Sequence, residues 1–512
     1  MRIHISTILV GLIGCIVISA SSLYTALRLG ALPWPLFLAA LTSYSLLKRK
    51  NQPPDFTQIN VAHTMMTSGS MIAGAVAFVL PAVFFMNPQA SVPLPQVFIL
   101  IAVGTIIGLA SSWLYRPFFL EKFPLPFPIG TATAQILNAV QHKGKTGVIL
   151  LTSGIFSAAF AFMRDFFRKI PVVALGGNFL VSPMAVGLGF LLKTSGIIWA
   201  ISGIFIHALI IPISTQHGLF SDLAHAQLWM KSLSMGLMIS CGMMYLLISL
   251  WQNRSFFALI FKNRSFTRPS AIFVATISAL AIWALLITYT PLTMLQAALL
   301  IPIVLCTNFL SCIICGKTGI NPLEKLGLTG FLCIVLITKV LPLQAIFIVL
   351  IGAVACGLCG DLMNDFQVGK VMHSPAGLMF LAEIFGAFCG IIITVIVFFA
   401  IKTTASFGSE NFPAPQAAAL SAMLSGKLYS GIFILGLALG LLLGLSRYGI
   451  MIALGIYMPL AISMPIGLGS LIYFLTPKKI QEQGALAAGG LLMGEGLTGS
   501  LIALWEMFKF KT

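Results

Sequence analysis

The sequence predicts an all-α polytopic membrane protein, with about 14–17 transmembrane or re-entrant helices arranged in two pseudo-symmetric halves. Three observations carry this prediction. Of 512 residues, 59% are hydrophobic and only 8% are charged, too few charges to cover the surface of a soluble chain this long. Apolar runs long enough to span a bilayer recur from end to end. Those runs lack the apolar–polar alternation of barrel strands, so helices, which satisfy their own backbone, are the element that remains.

Taken in order, apolar helices are expected near 5–27, 30–47, 58–85, 96–116, 146–163, 172–192, 195–213 and 229–250. A basic connection at 251–269 follows, then helices near 270–290, 293–315, 326–360 (two helices), 374–400, 428–446, 449–475 and 483–507. The opening stretch "MRIHISTILVGLIGCIVISA" reads as a first transmembrane helix, because a cleaved signal would precede a soluble chain and here further spans follow. The basic connection divides the chain into halves, 1–255 and 256–512, as an internal duplication would. "FPIGTATA" (Phe127–Ala134) aligns with "FPAPQAAA" (Phe412–Ala419) at both Phe-Pro pairs, at Ala132/Ala417 and at Ala134/Ala419. Interrupted segments in matching places of two halves point to a transporter's binding site.

The net charge of +17 is not a nucleic-acid footprint, since no soluble basic domain exists to carry it. It sits in short loops, at Lys48-Arg49-Lys50 and at Arg254, Lys262, Arg264 and Arg268, which marks those loops as cytoplasmic. The uncharged Met86–Gln96 reads as the opposite side, so the N-terminus is expected in the cytoplasm. His142–Lys145 and Arg164–Lys169 flank a single apolar run. Both lie on the cytoplasmic side only if a neighbouring segment enters and leaves by the same face.

Few residues remain to carry chemistry. Asp361 and Asp365, in "CGDLMNDFQVGK", are one turn apart and share a helix face. Two carboxylates that close in a low dielectric cannot both ionise cheaply, which suits proton carriage or attraction of a cation. The competing reading is a solvated helix end paired with Lys370. Glu383 lies deep in an apolar run, and Glu495 stands between glycines that permit close helix approach. The polar stretch Asn60–Gly74 reads as tight helix packing, with His63 as a candidate proton site. In "PLPFPIGTATAQIL" (Pro124–Leu137), prolines break the helix while small polar residues follow. Cys312/Cys315 and Cys356/Cys359 have CxxC spacing, but cysteines inside apolar helices act as small hydrophobes, so no metal or cofactor is expected. There is no P-loop, no HExxH and no GxSxG with partners, and "GLCGD" carries Cys359 where a membrane aspartyl protease has glycine. The chain is not expected to be an enzyme.

The ordered blocks from about Asn60 onward resemble the oligopeptide transporter superfamily, which includes the yellow stripe-like metal-chelate carriers. The blocks are "NVAHTMMTSGSMIAGAVAFVLPAVF", "PLPFPIGTATAQIL", "TGINPLEKLG", "GDLMNDFQVGKVMHSP", "PAPQAAALSAM", "YMPLAISMPIGLGSLI" and "EQGALAAGGLLMGEGLTGSLIAL". The resemblance implies secondary active transport: proton-coupled uptake of short oligopeptides or peptide-like metal chelates across the cytoplasmic membrane, through a central site between homologous halves. Related sequences commonly carry Glu where Ile129 and Gln135 stand, and Gln and Lys where Asn364 and Gln367 stand. On this reading Thr131, Thr133, Gln135 and Gln416 bind substrate, while Asp361, Asp365, Glu383 and Glu495 handle protons. A passive channel and a membrane-embedded enzyme are the rival classes. The partners expected are the small-molecule substrate, protons and membrane lipid, with a homodimer as the candidate assembly and no nucleic acid.

Overall fold

Prolines and short polar loops cut the apolar chain into helices, and their order repeats. The structure is a computed structural model. It describes residues 3–30, 32, 35–47, 55–140, 146–167, 173–174, 179–218, 220, 223–252, 280–318, 321, 323–409, 411–425, 430–446 and 448–509. The first half holds α1 (Ile5–Leu29), α2 (Pro35–Leu47), α3 (Phe56–Val79), α4 (Pro81–Met86) and α5 (Leu94–Pro117). After them come α6 (Pro128–Val140), α7 (Thr146–Ala161), α8 (Pro183–Leu192), α9 (Thr194–Ile204), α10 (Ile211–Gln216) and α11 (Leu223–Gln252). A short apolar helix, α12 (Leu280–Tyr289), leads into the second half. There α13 (Met294–Thr318), α14 (Leu323–Val335), α15 (Pro342–Val371), α16 (Ala376–Thr404) and α17 (Pro415–Ser425) come first. They are followed by α18 (Ser430–Leu443), α19 (Gly449–Tyr457), α20 (Leu460–Leu475) and α21 (Gln481–Lys509). Beside these helices the only ladder among the described residues is a two-residue pairing of Val173–Ala174 with Phe179–Leu180.

The fold is all-α and polytopic, as expected. Nine helices among the described residues are long and apolar enough to cross a membrane, and several others are shorter apolar pieces. Large apolar side chains such as Ile155, Phe385 and Leu442 lie exposed on the outside, as lipid-facing residues do. The expected run at 326–360 divides at Pro342, which opens α15.

The lengths match down the two halves: α1 and α13 have 25 residues each, α2 and α14 have 13 each, and α11 and α21 have 30 and 29. The contacts match too, and they cross between halves. Gly104 and Gly108 of α5 lie against Ile351 and Ala355 of α15; Gly386 and Gly390 of α16 lie against Met65 and Gly69 of α3. Each of these pairs runs parallel. By contrast α3 and α15 run antiparallel: Asn60 meets Ser374, Thr67 meets Asp365, and Met71 packs beside Gly357. Equivalent helices therefore point in opposite directions. The halves form an inverted repeat whose pseudo-two-fold axis passes between Met71 and Gly357. The predicted boundary at 255/256 falls outside the described residues.

Two broken segments also correspond, in a register the sequence alignment missed. Phe127 and Ala414 both have φ of 38°, and both precede the proline that opens a helix. Few non-glycine residues adopt that conformation, so each is held by its surroundings. The Phe127 amide donates to the Gly316 carbonyl (2.7 Å) and the Ala414 amide to the Leu27 carbonyl (3.0 Å). Thr131 N and Ala418 N then close the first turns on Phe127 and Ala414. The true equivalence is Phe127 with Ala414, two residues from the Phe-Pro match, because backbone geometry around Pro-x-Pro sets it.

The first broken segment is re-entrant. α5 ends in a wide π turn, Phe118–Lys122, and Lys370 near the end of α15 donates to Leu120 O at 2.5 Å. The chain then reaches Asn364 through Gly130, and returns alongside Val368 and Met372 with Ala134 and Leu137. It enters and leaves by one face.

The glycine crossings make opposite predictions for two similar changes. A methyl at Gly390 would lie 2.4 Å from Gly69 Cα, whereas nothing lies within 4 Å of one at Gly377. Gly390→Ala is expected to cost about 1–3 kcal/mol through overpacking. Gly377→Ala is expected to be neutral or to add about 0.5 kcal/mol through helix propensity. Thermal unfolding of the detergent-solubilised protein, followed by thiol-reactive dye, checks both signs.

Candidate functional site: a buried carboxylate cluster

The central helices bring the acids together. On α3, Asn60, Thr64, Thr67 and Met71 fall on one face by helical spacing, and that face looks onto α15. Asp55 caps the helix by accepting from Thr57 N and Gln58 N, at 3.0 and 3.2 Å. On α15, Asp361 and Asp365 are one turn apart and look back at α3. Both aspartates are buried, and so is Glu383 of α16.

Their contacts are few. Thr67 Oγ1 donates to Asp365 Oδ2 at 3.2 Å, and His63 Nε2 lies 3.6 Å from Asp365 Oδ1. Glu383 lies within electrostatic reach of both aspartates, one turn from Gly386, whose face touches Met65 and Ser68. Neither oxygen of Glu383 has a hydrogen-bond partner among the described residues, nor has Asp361 Oδ2. No described lysine or arginine forms an ion pair with any of the three. Lys370, the sequence candidate for pairing with Asp361 and Asp365, points instead to Leu120. A buried carboxylate without a counter-charge is costly, so such a group holds a proton or waits for a cation.

The re-entrant segment leans on the same helix. Gly130 N donates to Asn364 Oδ1 at 3.2 Å, and a Cβ on Gly130 would lie 2.5 Å from the Asn364 carbonyl oxygen. The glycine thus lets α6 approach α15. Thr131 donates to Pro126 O at 2.7 Å and accepts from Gln367 Nε2 at 3.2 Å. Thr133 is buried, and its hydroxyl has no hydrogen-bond partner among the described residues. The side chain of Gln135 lies outside the described residues. Gln416 is elsewhere: its amide donates to Gly30 O at the far end of α1, beside the second broken segment.

Glu495 belongs to a different cluster. Arg164 Nη1 lies 2.9 Å from Glu495 Oε1, and Arg28 Nη1 lies 3.7 Å from it. Ser182 Oγ at 2.9 Å and Met184 N at 2.9 Å donate to the same carboxylate. Arg164 also grips Asp165 through two bonds of 2.6 Å, and Arg28 donates to Tyr24 OH at 2.7 Å. Two cations and two anions balance, which pins α1, the turn Phe162–Phe166 after α7, α8 and α21 together. Sequence reasoning left Arg28 without a role and read Arg164 only as a basic flank of an apolar run, whereas it is buried on Glu495. The signal was Arg28 itself, a cation in the last apolar turn of α1.

The two CxxC pairs meet as packed thiols, with Cys312 Sγ 3.4 Å from Cys359 Sγ across α13 and α15. Among the described residues no group of three histidine, cysteine or acidic side chains is placed to hold a metal.

A model of the family described as OPT oligopeptide transporter protein matches residues 4–221 and 259–506. The chain belongs to that family. A curated Haemophilus influenzae protein carrying the provisional name oligopeptide transporter is 27% identical over 148 residues, 28% of this chain. That match spans only 23% of the relative's length. Membership of a transporter family points away from enzyme activity and fits the multi-pass membrane fold.

The two clusters predict contrasting effects of removing one charge. Glu495→Gln leaves Arg164 and Arg28 under-compensated and is expected to cost about 3–5 kcal/mol of stability. Glu383→Gln removes an unpaired buried acid and is expected to hold or raise the melting temperature. Melting curves of the two variants at neutral pH test the contrast.

Proposed function

We propose that this transporter is a proton-coupled importer of short oligopeptides or peptide-like metal chelates across the cytoplasmic membrane. The observation that carries the proposal is the set of three buried carboxylates where the central helices of two inverted halves cross. Intramembrane acids without fixed counter-charges are the groups through which such proteins couple ion and substrate movement. Asp365 is the principal proton carrier, with Thr67 and His63 orienting it, and Asp361 and Glu383 share the load. Loading protons removes the repulsion among the acids, and that relief favours one arrangement of the two halves over the other.

Substrate hydrogen bonds come from the re-entrant segment, through Thr131, Thr133 and Gln135, and from Gln416 on the opposite side. Residues 1–255 and 256–512 act as the two moving units. The N-terminus lies in the cytoplasm, which puts Asp55, the start of α3 and the carboxylate cluster toward that side, since His4 before α1 bonds Gln58 in the first turn of α3. Glu495 drops out of the proton pathway on this reading, since its charge is already matched by Arg164 and Arg28.

The doubly substituted variant Asp361→Asn/Asp365→Asn is expected to lose uphill, pH-gradient-driven uptake in proteoliposomes by tenfold or more, while exchange of labelled for unlabelled substrate continues. Gradient-driven accumulation at the native level in that variant would sink the coupling assignment.

A further inference from the structure

The proposed site holds buried acceptors that make no hydrogen bond among the described residues. They are Asn60 Oδ1, Asp361 Oδ2, Asp365 Oδ1 and both oxygens of Glu383. All are acceptors, and Asn60, Asp365 and Glu383 are wholly buried. The donors beside them, His63 and Thr64 on α3, stand next to Asp365, with His63 Nε2 3.6 Å from its Oδ1. They leave Asn60 Oδ1 and both oxygens of Glu383 unserved. Asn60 is an observation separate from the acids. Its amide nitrogen is committed to Ser374 Oγ at 2.8 Å, leaving the neutral oxygen on the α3 face that also carries Thr67. Protons alone do not satisfy such a set, because each carboxyl proton supplies one donor, and deprotonation restores the charge. A primary ammonium supplies three donors in a tetrahedral spread together with a positive charge. A net anionic complex would meet like charge at short range in a low dielectric.

We infer that Asn60, Asp365 and Glu383 form a subsite for a primary ammonium group carried by the transported molecule. This rests on the carboxylate cluster lying on the transport path, as proposed above. The ammonium sits where the Asn60 and Thr67 face of α3 meets Asp365 of α15, with Glu383 of α16 beside it. It adds the cationic charge that no described lysine or arginine supplies and that only His63, beside Asp365, could otherwise carry. Two sources share this chemistry, a free α-amino terminus and a lysine side chain. The subsite discriminates against N-blocked peptides and anionic ferric chelates.

The test uses the full-length protein in proteoliposomes, with trialanine uptake as the readout and four competitors. These are trialanine, N-acetyl-trialanine, an N-acetylated tripeptide ending in lysine, and ferric citrate. N-acetylation is expected to weaken competition about tenfold or more, the loss that follows from removing a charged hydrogen-bonding group. Restoration by the blocked lysine peptide assigns the side-chain ammonium as a second source; its failure restricts the subsite to the α-amino terminus. In Glu383→Gln the gap between free and acetylated peptide should narrow.

Equal competition by free and acetylated peptide, with uptake still driven by a pH gradient, overturns the ammonium subsite and leaves the coupling reading standing. Loss of pH dependence with the acetylation gap intact does the reverse. Should trialanine neither enter nor shift the melting temperature of the purified protein while ferric citrate does, the ammonium subsite is overturned as well.

Discussion

The antiparallel crossing of α3 and α15 at Met71 and Gly357 is the constraint on which the rest depends. Across the apolar stretch of α15 every residue is buried, and 89% are buried in that of Phe56–Met86, which spans α3 and α4, so these helices meet protein and not lipid. With lipid as solvent, no hydrophobic gain draws helices together, and close packing must hold them. Glycine supplies it, at Gly104 and Gly108 on one side and at Gly386 and Gly390 on the other. The outer helices follow the same plan, with Gly490 set on Leu150 and Gly154 as Gly236 is set on Phe433 and Leu437.

The same solvent explains the broken segments. An unpaired amide in hydrocarbon is expensive, so a chain that leaves helical geometry must borrow a carbonyl. Phe127 borrows from the end of α13, and Ala414 from the end of α1. Each half completes the other's interrupted backbone. That exchange is also why the strained φ at both positions persists: the neighbouring half fixes it.

How much of this could be read from the sequence follows from the range of each cause. Composition and hydropathy act locally, so the helical membrane fold was legible. The acids at 361, 365 and 383 were legible because a charge in an apolar run is anomalous wherever it lies. The meeting of Asp365 with His63 and Thr67 was not, because it depends on the crossing of α3 with α15. Glu495 looked the same as Glu383 in sequence, and only tertiary structure brings Arg28 and Arg164 to one of them. The alignment of the broken segments slipped by two residues because identity at Phe-Pro outweighed the unseen backbone turn at Pro-x-Pro.

Symmetry of the backbone and asymmetry of the chemistry together set the acidic residues apart. One and two turns past Gly357, α15 carries Asp361 and Asp365; one and two turns past Met71, α3 carries Ala75 and Val79. All four are buried, so the difference is not one of exposure. An inverted repeat needs the same packing on both sides of its axis, and alanine and valine are what packing alone selects. Aspartate in the equivalent places costs stability that packing does not require. Elsewhere in the protein that cost is offset, as at Glu495, by two guanidinium groups and backbone and hydroxyl donors. At Asp361, Asp365 and Glu383 no guanidinium or ammonium of the described residues offsets it, and Thr67 and His63, which stand against it, are both beside Asp365.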